Sequence, residues 1–177
     1  LVNKSLVRRD ADTGRYDIHE LLRQYAEEHL QQSDKLDILN QLHMQYFAEF
    51  MVNRAPDIKG RRQIDSLNGI ESDFDNIREA WIYAVNHVDY ESLSNMMETL
   101  TLFCEMRSLY KIGEELFQDA VDKLSRLNIQ EIHPIFNRLR IYFVQVWILQ
   151  EKFPIPDKIL QIVDDCLPIA QLQEDTF

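Results

Sequence analysis

The chain has 177 residues, 45% of them hydrophobic and 28% charged, with a formal net charge of −11 at pH 7. This length allows a sizeable core, and no apolar run approaches the roughly 18 residues of a membrane span. Residues 1–31 have 5 basic and 6 acidic side chains, residues 32–88 have 6 and 9, and residues 89–177 have 8 and 15. Because an acidic surface repels the phosphate backbone, this balance argues against nucleic acid as a partner.

The first predicted elements are two short strands and the turn between them. Residues 5–9 and 15–18 flank residues 10–14, where turn-forming side chains end in a glycine that can adopt positive φ. The apolar spacing then becomes helical, and one face carries Ile18, Leu21, Leu22, Tyr25, Ala26 and Leu30. The sequence therefore predicts a β-hairpin that leads into an amphipathic helix, with His19 at the junction.

Residues 32–88 predict further helices separated by short breaks. Ser33 or Asp34 is suited to N-cap a helix that ends near Asn53. The apolar stripe of this helix comprises Leu36, Leu39, Leu42, Tyr46, Phe47, Phe50 and Met51. A linker at 55–60, a short helix at about 62–67 and a helix opened by residues 72–75 follow. The last of these carries Ile77, Ala80, Trp81, Ala84, Val85 and Val88.

Residues 89–177 predict two pairs of helices. A helix at 90–104 and a second one after a turn at 106–108 have apolar residues at helical spacing. Residues 136–149 are apolar on nearly every side, and the length of this run favours a buried helix over a strand. Asp157 is suited to cap a last helix, which Pro168 is expected to kink or end. The apolar positions of that helix are Ile159, Leu160, Ile162, Val163, Leu167, Ile169 and Leu172.

Four segments carry a resemblance to a known family. Residues 4–7, KSLV, resemble the wing strand of the winged-helix domain in STAND-class signalling ATPases. Residues 18–22, IHELL, resemble the "MHDLL" motif of the same domain, with Ile for Met and Glu for Asp. That class includes bacterial regulators and the NB-ARC proteins of plants and animals. Residues 71–84 are similar to the segment that follows this domain in many bacterial members. Residues 166–175 resemble the end of a tetratricopeptide-like repeat, although the spacing between the two helix pairs is about 43 residues rather than 34.

The resemblance implies a mainly α fold. It divides the chain into the C-terminal part of a winged-helix domain at 1–31, a helical linker region at 32–88 and tetratricopeptide-like repeats at 89–177. The hairpin would be the wing, and the antiparallel helix pairs would form a right-handed superhelix. The start at Leu1 and the end at Phe177 are then expected to be cuts within a longer protein, and the second cut is expected to expose apolar surface.

The resemblance also implies a function. The chain would be a non-catalytic sensor segment of a signal-transduction ATPase, a transcriptional regulator, in which binding of a protein or peptide partner is relayed to an upstream ATPase domain. In that family the motif histidine, here His19, faces the phosphates of ADP held by the ATPase domain. The cofactors ADP and ATP belong to the full-length protein, and this chain itself would hold none. The alternative role for His19 is local hydrogen bonding at a helix N-terminus.

The residues predict no enzyme and no metal site within the chain. None of the four glycines begins the GxxxxGK[ST] loop that cradles phosphates, and the HExxH-like start at His19 has Arg23 in place of the second histidine. Cys104 and Cys166 lack CxxC spacing and are expected to be buried, reduced thiols, which favours a cytoplasmic location. The alternative function is a stand-alone helical-repeat scaffold that binds a peptide or protein.

Overall fold

Helices make up most of the part of the chain that the structure describes. The computed structural model describes residues 7–11, 14, 16–127, 134–150 and 154–172, and it divides into two compact units, Leu1–Gln41 and Leu42–Phe177. The elements in chain order are β1 (Val7–Arg9), β2 (Tyr16–Ile18), α1 (Glu20–Gln31), α2 (Leu36–Val52), α3 (Ala55–Ile58), α4 (Gln63–Ser72), α5 (Phe74–His87), α6 (Tyr90–Met106), α7 (Tyr110–Arg126), α8 (Pro134–Ile148) and α9 (Asp157–Leu172).

The first unit contains the predicted hairpin. β1 and β2 pair antiparallel, with Val7 opposite Ile18 and Arg9 opposite Tyr16. Gly14 has φ +68° and its N–H donates to the carbonyl of Asp10 at 3.0 Å, which confirms the predicted turn and the need for glycine there. α1 begins at Glu20, two residues later than the periodicity predicts, because Ile18 is held in the strand pairing.

The second unit has one continuous apolar core. α5 packs on α6 and α7, α6 packs on α7 and α8, and α8 packs on α7 and α9; α3 packs on α4 and α6. Trp81 and Phe117, both buried, meet edge to face with 5.2 Å between ring centroids. The helix predicted at 90–104 is α6, and its apolar residues at helical spacing are fully buried: Leu93, Met96, Met97, Leu100, Phe103 and Cys104. The 136–149 segment is the predicted buried helix, α8.

Two short connections position these helices. Val88 ends α5 with φ 56°, and Asp89 then caps α6, because its Oδ1 accepts a hydrogen bond from the N–H of Ser92 at 2.8 Å. Between α6 and α7, Ser108 has φ 57°, within the turn predicted at 106–108. Positive φ is uncommon for residues other than glycine, so both turns are held by the packing of the helices that they join.

At Gly113, α7 lies close to both α6 and α8. A methyl group added there would lie 3.0 Å from Cγ1 of Val146 on α8 and 3.2 Å from Cβ of Cys104 on α6. Since neither neighbour is solvent-exposed, the absence of a side chain is what lets the three helices meet.

Three of the predictions were wrong in detail, and one alternative of a fourth is excluded. The linker at 55–60 contains the short helix α3, whose Ile58 is fully buried, and α4 extends to Ser72 rather than to about residue 67. Of the two outcomes expected at Pro168, the early end is excluded, because α9 continues through it to Leu172. On α2 the core takes Met44, Phe47, Ala48 and Met51, while three residues of the predicted stripe are exposed: Leu39, Leu42 and Tyr46. α2 is apolar on two opposite sides, and the pattern alone did not identify the side that the core covers.

Parts of several predictions lie outside the described residues. They are residues 4–6 of the wing-strand resemblance, the connection at 128–133 and the repeat-end residues 173–175. α9 exposes Leu160, Val163 and Leu167 beside its buried stripe. Within the described part of the chain, no helix combines the length and apolarity that crossing a bilayer requires.

Candidate functional site at the start of the first helix

His19 lies between the hairpin and α1 and is the N-cap of that helix. Its backbone is extended, with φ −55° and ψ 135°, and its carbonyl accepts hydrogen bonds from the N–H groups of Leu22 at 2.8 Å and Arg23 at 3.1 Å. Its ring Nδ1 accepts a further bond from the N–H of Leu21 at 3.3 Å. The side chain therefore satisfies one of the backbone donors that every helix start leaves unpaired, a role that Ser, Thr, Asp or Asn usually fills.

This bond determines where the imidazole can carry its proton. A neutral imidazole has one donor nitrogen and one acceptor nitrogen, and Nδ1 accepts here. The proton of the neutral ring is therefore on Nε2, which can donate to a second group. The local hydrogen bonding that the sequence allowed for His19 is confirmed, and the exposed ring keeps one donor for a further partner.

The charges around His19 are arranged within α1 itself. Glu20 accepts two hydrogen bonds from Arg23, each of 2.9 Å, and one from Gln24 at 2.9 Å. These bonds hold the pKa of the Glu20 carboxyl below its ordinary value, with the Arg23 bond as the largest cause, and Glu20 in turn raises the pKa of Arg23. A carboxylate in the first turn also suits the positive end of the helix dipole.

The apolar face of α1 is largely exposed, with only Leu22 and Leu30 half-buried. Leu21 is 69% and Tyr25 60% exposed, and α1 buries no side chain at all. The one ring contact of Tyr25 that the structure describes is with His29, 4.3 Å away between centroids on the same helix. Of the described residues in Leu1–Gln41, none is buried. An amphipathic helix of 12 residues whose apolar side faces water is a surface that another body must cover.

The second motif of the family resemblance is structural in this chain. In residues 71–84, Ile77 and Trp81 are buried in the core, and the indole N–H of Trp81 donates to the carbonyl of Leu116 at 3.2 Å. Asn76 makes a local bond to Asp73 at 3.4 Å. Ile77 and Trp81 therefore serve the core, and Asn76 serves the start of α5.

Two surface grooves are further candidate binding places among the described residues. Glu49, Asp89 and Glu91 line a groove of about 310 Å³ between α2 and α6, and a second groove of about 270 Å³ lies among α7, α8 and α9 beside the Arg140–Asp165 ion pair. No set of three or more metal-ligating side chains occurs among the described residues. Cys104 and Cys166 are free and buried, as predicted, and burial raises the pKa of both thiols.

Sequence reasoning missed the exposed side of α2 as a functional candidate. Leu42, Tyr46 and Phe50 occur at every fourth position; Leu42 and Tyr46 are exposed, and Phe50 is half-buried against the core. The signal was available, since a helix that is apolar on two sides needs two surfaces to cover it. In comparisons with known proteins, no family model, no curated protein and no solved structure matches this chain.

Proposed function

We propose that this chain is a non-catalytic sensor and interaction segment of a STAND-type signal-transduction ATPase, a bacterial transcriptional regulator. Residues 1–31 would be the C-terminal part of its winged-helix domain, residues 32–88 a helical linker and residues 89–177 a tetratricopeptide-like array. The array would bind a protein or peptide, and the winged-helix part would relay that event to an upstream domain that holds ADP or ATP. The chain would act in the cytoplasm.

The observation that carries this proposal is the uncovered apolar face of α1 directly after a capping histidine. Isolated helices of about 12 residues are marginal in water, and a two-stranded hairpin adds little stability. The hairpin and α1 bury no described side chain, so they fit a part of a larger domain better than an independent fold. A winged-helix domain, in which a hairpin and neighbouring helices share one core, supplies the cover that Leu21 and Tyr25 lack.

The packing order of the later helices supports the array. α5, α6, α7 and α8 each pack on the next helix, and α5–α7 and α6–α8 also pack on each other. The α5–α6 and α6–α7 connections are short, which favours antiparallel neighbours. Packing of each helix on the next one and on the one after it is typical of stacked helical repeats, although α6 also contacts α3. Such stacks use their surface for binding other proteins.

His19 would couple the two parts through the ADP phosphates. Its Nδ1 holds the first turn of α1, and its Nε2–H remains able to donate to a phosphate oxygen. A hydrogen bond to a charged oxygen contributes about 1.5–3 kcal/mol, which corresponds to a change of about tenfold to a hundredfold in affinity.

Two substitutions of His19 in the full-length protein test this role. Asn is a good N-cap, so His19→Asn keeps the acceptor for α1 but shortens the reach toward a phosphate, whereas His19→Ala removes both. We expect both variants to release a fluorescent ADP analogue at least about tenfold faster than the wild type, as measured by stopped flow. If His19→Asn releases ADP at the wild-type rate, the histidine serves α1 alone and the phosphate role is wrong.

The competing proposal, a stand-alone helical scaffold, makes a different prediction. If no nucleotide-binding domain precedes residue 1 in the full-length protein, the surface that covers the apolar face of α1 would have to belong to another protein. Nucleotide would then have no effect on the far-ultraviolet circular dichroism of α1 or on its hydrogen exchange. Protection of the α1 amides by ADP in the full-length protein would support the ATPase proposal instead.

A further inference from the structure

One ridge of α2 begins with exposed side chains and ends with half-buried ones, of which Phe50 packs against the core. Leu42, Tyr46, Phe50 and Arg54 occur at every fourth position, which places them along one ridge of the helix and its C-terminal extension. Leu42 is 55% and Tyr46 62% exposed, although Met44, Phe47 and Met51 on the opposite side are buried. We call these four residues the α2 ridge.

The ridge is ordered by contacts between its own members. The rings of Tyr46 and Phe50 lie 6.4 Å apart, and Tyr46 also meets Phe47 edge to face at 4.9 Å. The Arg54 guanidinium stacks on Phe50, with its carbon 3.3 Å from the ring centroid, and donates to the Phe50 carbonyl at 3.2 Å. Tyr and Arg are the residues that most often dominate binding at protein interfaces, and pre-ordered side chains lose little entropy on binding.

An acidic groove runs along one flank of the ridge. Gln45 and Glu49 directly precede Tyr46 and Phe50, so they lie about 100° around the helix. They form the α2 wall of the groove of about 310 Å³, and the α6 side supplies Asp89 and Glu91. Among its described lining residues there are three carboxylates and no lysine or arginine.

We propose that the α2 ridge and its acidic flank form a docking surface for an amphipathic helix of another protein that has Lys or Arg beside its apolar stripe. The apolar stripe would cover Leu42, Tyr46 and Phe50, and the basic flank would face Glu49, Asp89 and Glu91. The net charge of −11 favours a basic partner over an acidic one, both at long range and in the groove. From Leu42 to Arg54 the ridge spans about 18 Å, the length of a helix of about 12 residues.

The same observations argue against a second copy as the occupant. Two copies would bring together chains that each carry a charge of −11, and their acidic flanks would repel each other. A ridge one helix wide also offers less surface than the roughly 1,200–2,000 Å² that a stable dimer buries. This proposal does not depend on the ATPase resemblance, since all of its residues lie in Leu42–Phe177.

Fluorescence anisotropy with designed peptides tests the docking surface on the whole chain. The probe is a labelled helical peptide of about 16 residues with Leu at i, i+3 and i+4 spacing and Lys on the flanks; a second peptide has Glu in place of Lys. We expect the Lys peptide to bind at least about tenfold more tightly than the Glu peptide, and to weaken severalfold when NaCl is raised from about 50 to about 500 mM.

Matched variants locate the site. Tyr46→Asp or Leu42→Asp should weaken binding of the Lys peptide by about 30-fold, and the pair Glu49→Lys with Glu91→Lys should weaken it by about tenfold. Leu127→Asp, at a leucine that is also 55% exposed, and Glu79→Lys, at another exposed carboxylate, should stay within about twofold of the wild type. Circular dichroism and urea midpoints check that each variant is folded.

Three results would overturn the proposal. The first is binding that Tyr46→Asp and Leu42→Asp leave unchanged, and the second is equal affinity for the Lys and Glu peptides. The third is wild-type dimerisation in sedimentation analysis that Tyr46→Asp abolishes, which would assign the ridge to a second copy of the chain.

Discussion

Replacing Gly113 by Ala tests the close approach of α6, α7 and α8. In an exposed helix interior this substitution stabilises a protein by about 1 kcal/mol, because Ala is the better helix former. Here the new methyl group would lie 3.0 Å from Cγ1 of Val146, 3.2 Å from Cβ of Cys104 and 3.3 Å from its Sγ. Both neighbours are completely buried and cannot turn toward solvent. Overpacking a core in this way costs about 1–3 kcal/mol.

The two effects oppose each other, and the packing cost is the larger. We expect Gly113→Ala to lower the free energy of unfolding by about 1 kcal/mol, which for a chain of this size lowers the Tm by about 2–4 °C. Urea unfolding followed by tryptophan fluorescence is a suitable assay, because Trp81 and Trp147 are both buried in the same unit as Gly113.

Gly69→Ala is the matched control. Gly69 also lies inside a helix, α4, but a methyl group there would meet only the guanidinium of Arg54, at 3.3 Å. That group is the end of a flexible side chain and can shift by a few tenths of an ångström. We therefore expect Gly69→Ala to stabilise the protein by about 0.5–1 kcal/mol. In a Val146→Ala background, the cost of Gly113→Ala should fall by about 1 kcal/mol. Equal effects at the two glycines, or no coupling with Val146, would refute the packing argument.

Two further predictions concern the core. Burial raises the pKa of the Cys104 thiol to about 12 from an ordinary 9.0, so the unfolded chain loses this proton at a lower pH than the folded one. The contribution of the neutral thiol to the free energy of unfolding is fully present below about pH 9 and is lost as the pH rises from 9 toward 12. In Cys104→Ala, the urea midpoint should therefore fall less steeply with pH over this range. A fall as steep as that of the wild type would contradict the assignment. Neither cysteine should react with a thiol reagent in the native protein at neutral pH. Trp81→Phe removes the donor to the Leu116 carbonyl and part of the core volume. It should lower the free energy of unfolding, measured with urea, by about 2–3 kcal/mol. A decrease below about 0.5 kcal/mol would mean that the indole hydrogen bond and the packing of the ring contribute little.

Local patterns predicted most of the helices, because the core positions recur at helical spacing. Residues 90–104 and 136–149 have apolar side chains so regularly placed that a buried helix was the consistent interpretation. The hairpin was predicted because its turn needs a residue with positive φ and provides Gly14. The order of contacts among α5 to α9 could not be predicted, since it depends on which apolar faces meet and not on where they occur in the sequence.

α2 shows where such patterns are insufficient. Two apolar stripes on one helix both satisfy the helical period, and nothing local distinguishes the stripe that packs on α6 from the stripe that stays exposed. Tertiary packing selected Met44, Phe47, Ala48 and Met51, and left Leu42 and Tyr46 on the surface. Pro168 is a second example, since a proline lacks the N–H for one helix bond, yet α9 continues beyond it to Leu172.

The candidate site could be predicted in position but not in its hydrogen bonds. Residues 18–22 pointed to His19 at a helix start, whereas the choice of Nδ1 as the acceptor depends on the extended backbone between β2 and α1. Leu21 and Tyr25 are exposed, and no side chain of α1 is buried. The sequence pattern shows that this face is apolar but not which surface covers it. The proposed function assigns that cover to the rest of a winged-helix domain.

The geometry of His19 gives the proposed relay a direction. A phosphate that accepts from Nε2–H would polarise the ring and make Nδ1 a better acceptor for the N–H of Leu21, since linked hydrogen bonds strengthen one another. Bound ADP would therefore stabilise the first turn of α1, to an extent limited by the roughly 1 kcal/mol that an N-cap contributes. By reciprocity, anything that covers and orders α1 would tighten ADP binding by the same factor, about fivefold, and anything that uncovers α1 would release ADP. A helix with no buried residue is the least stable kind of element, so it is also the element whose order a distant binding event can most readily change.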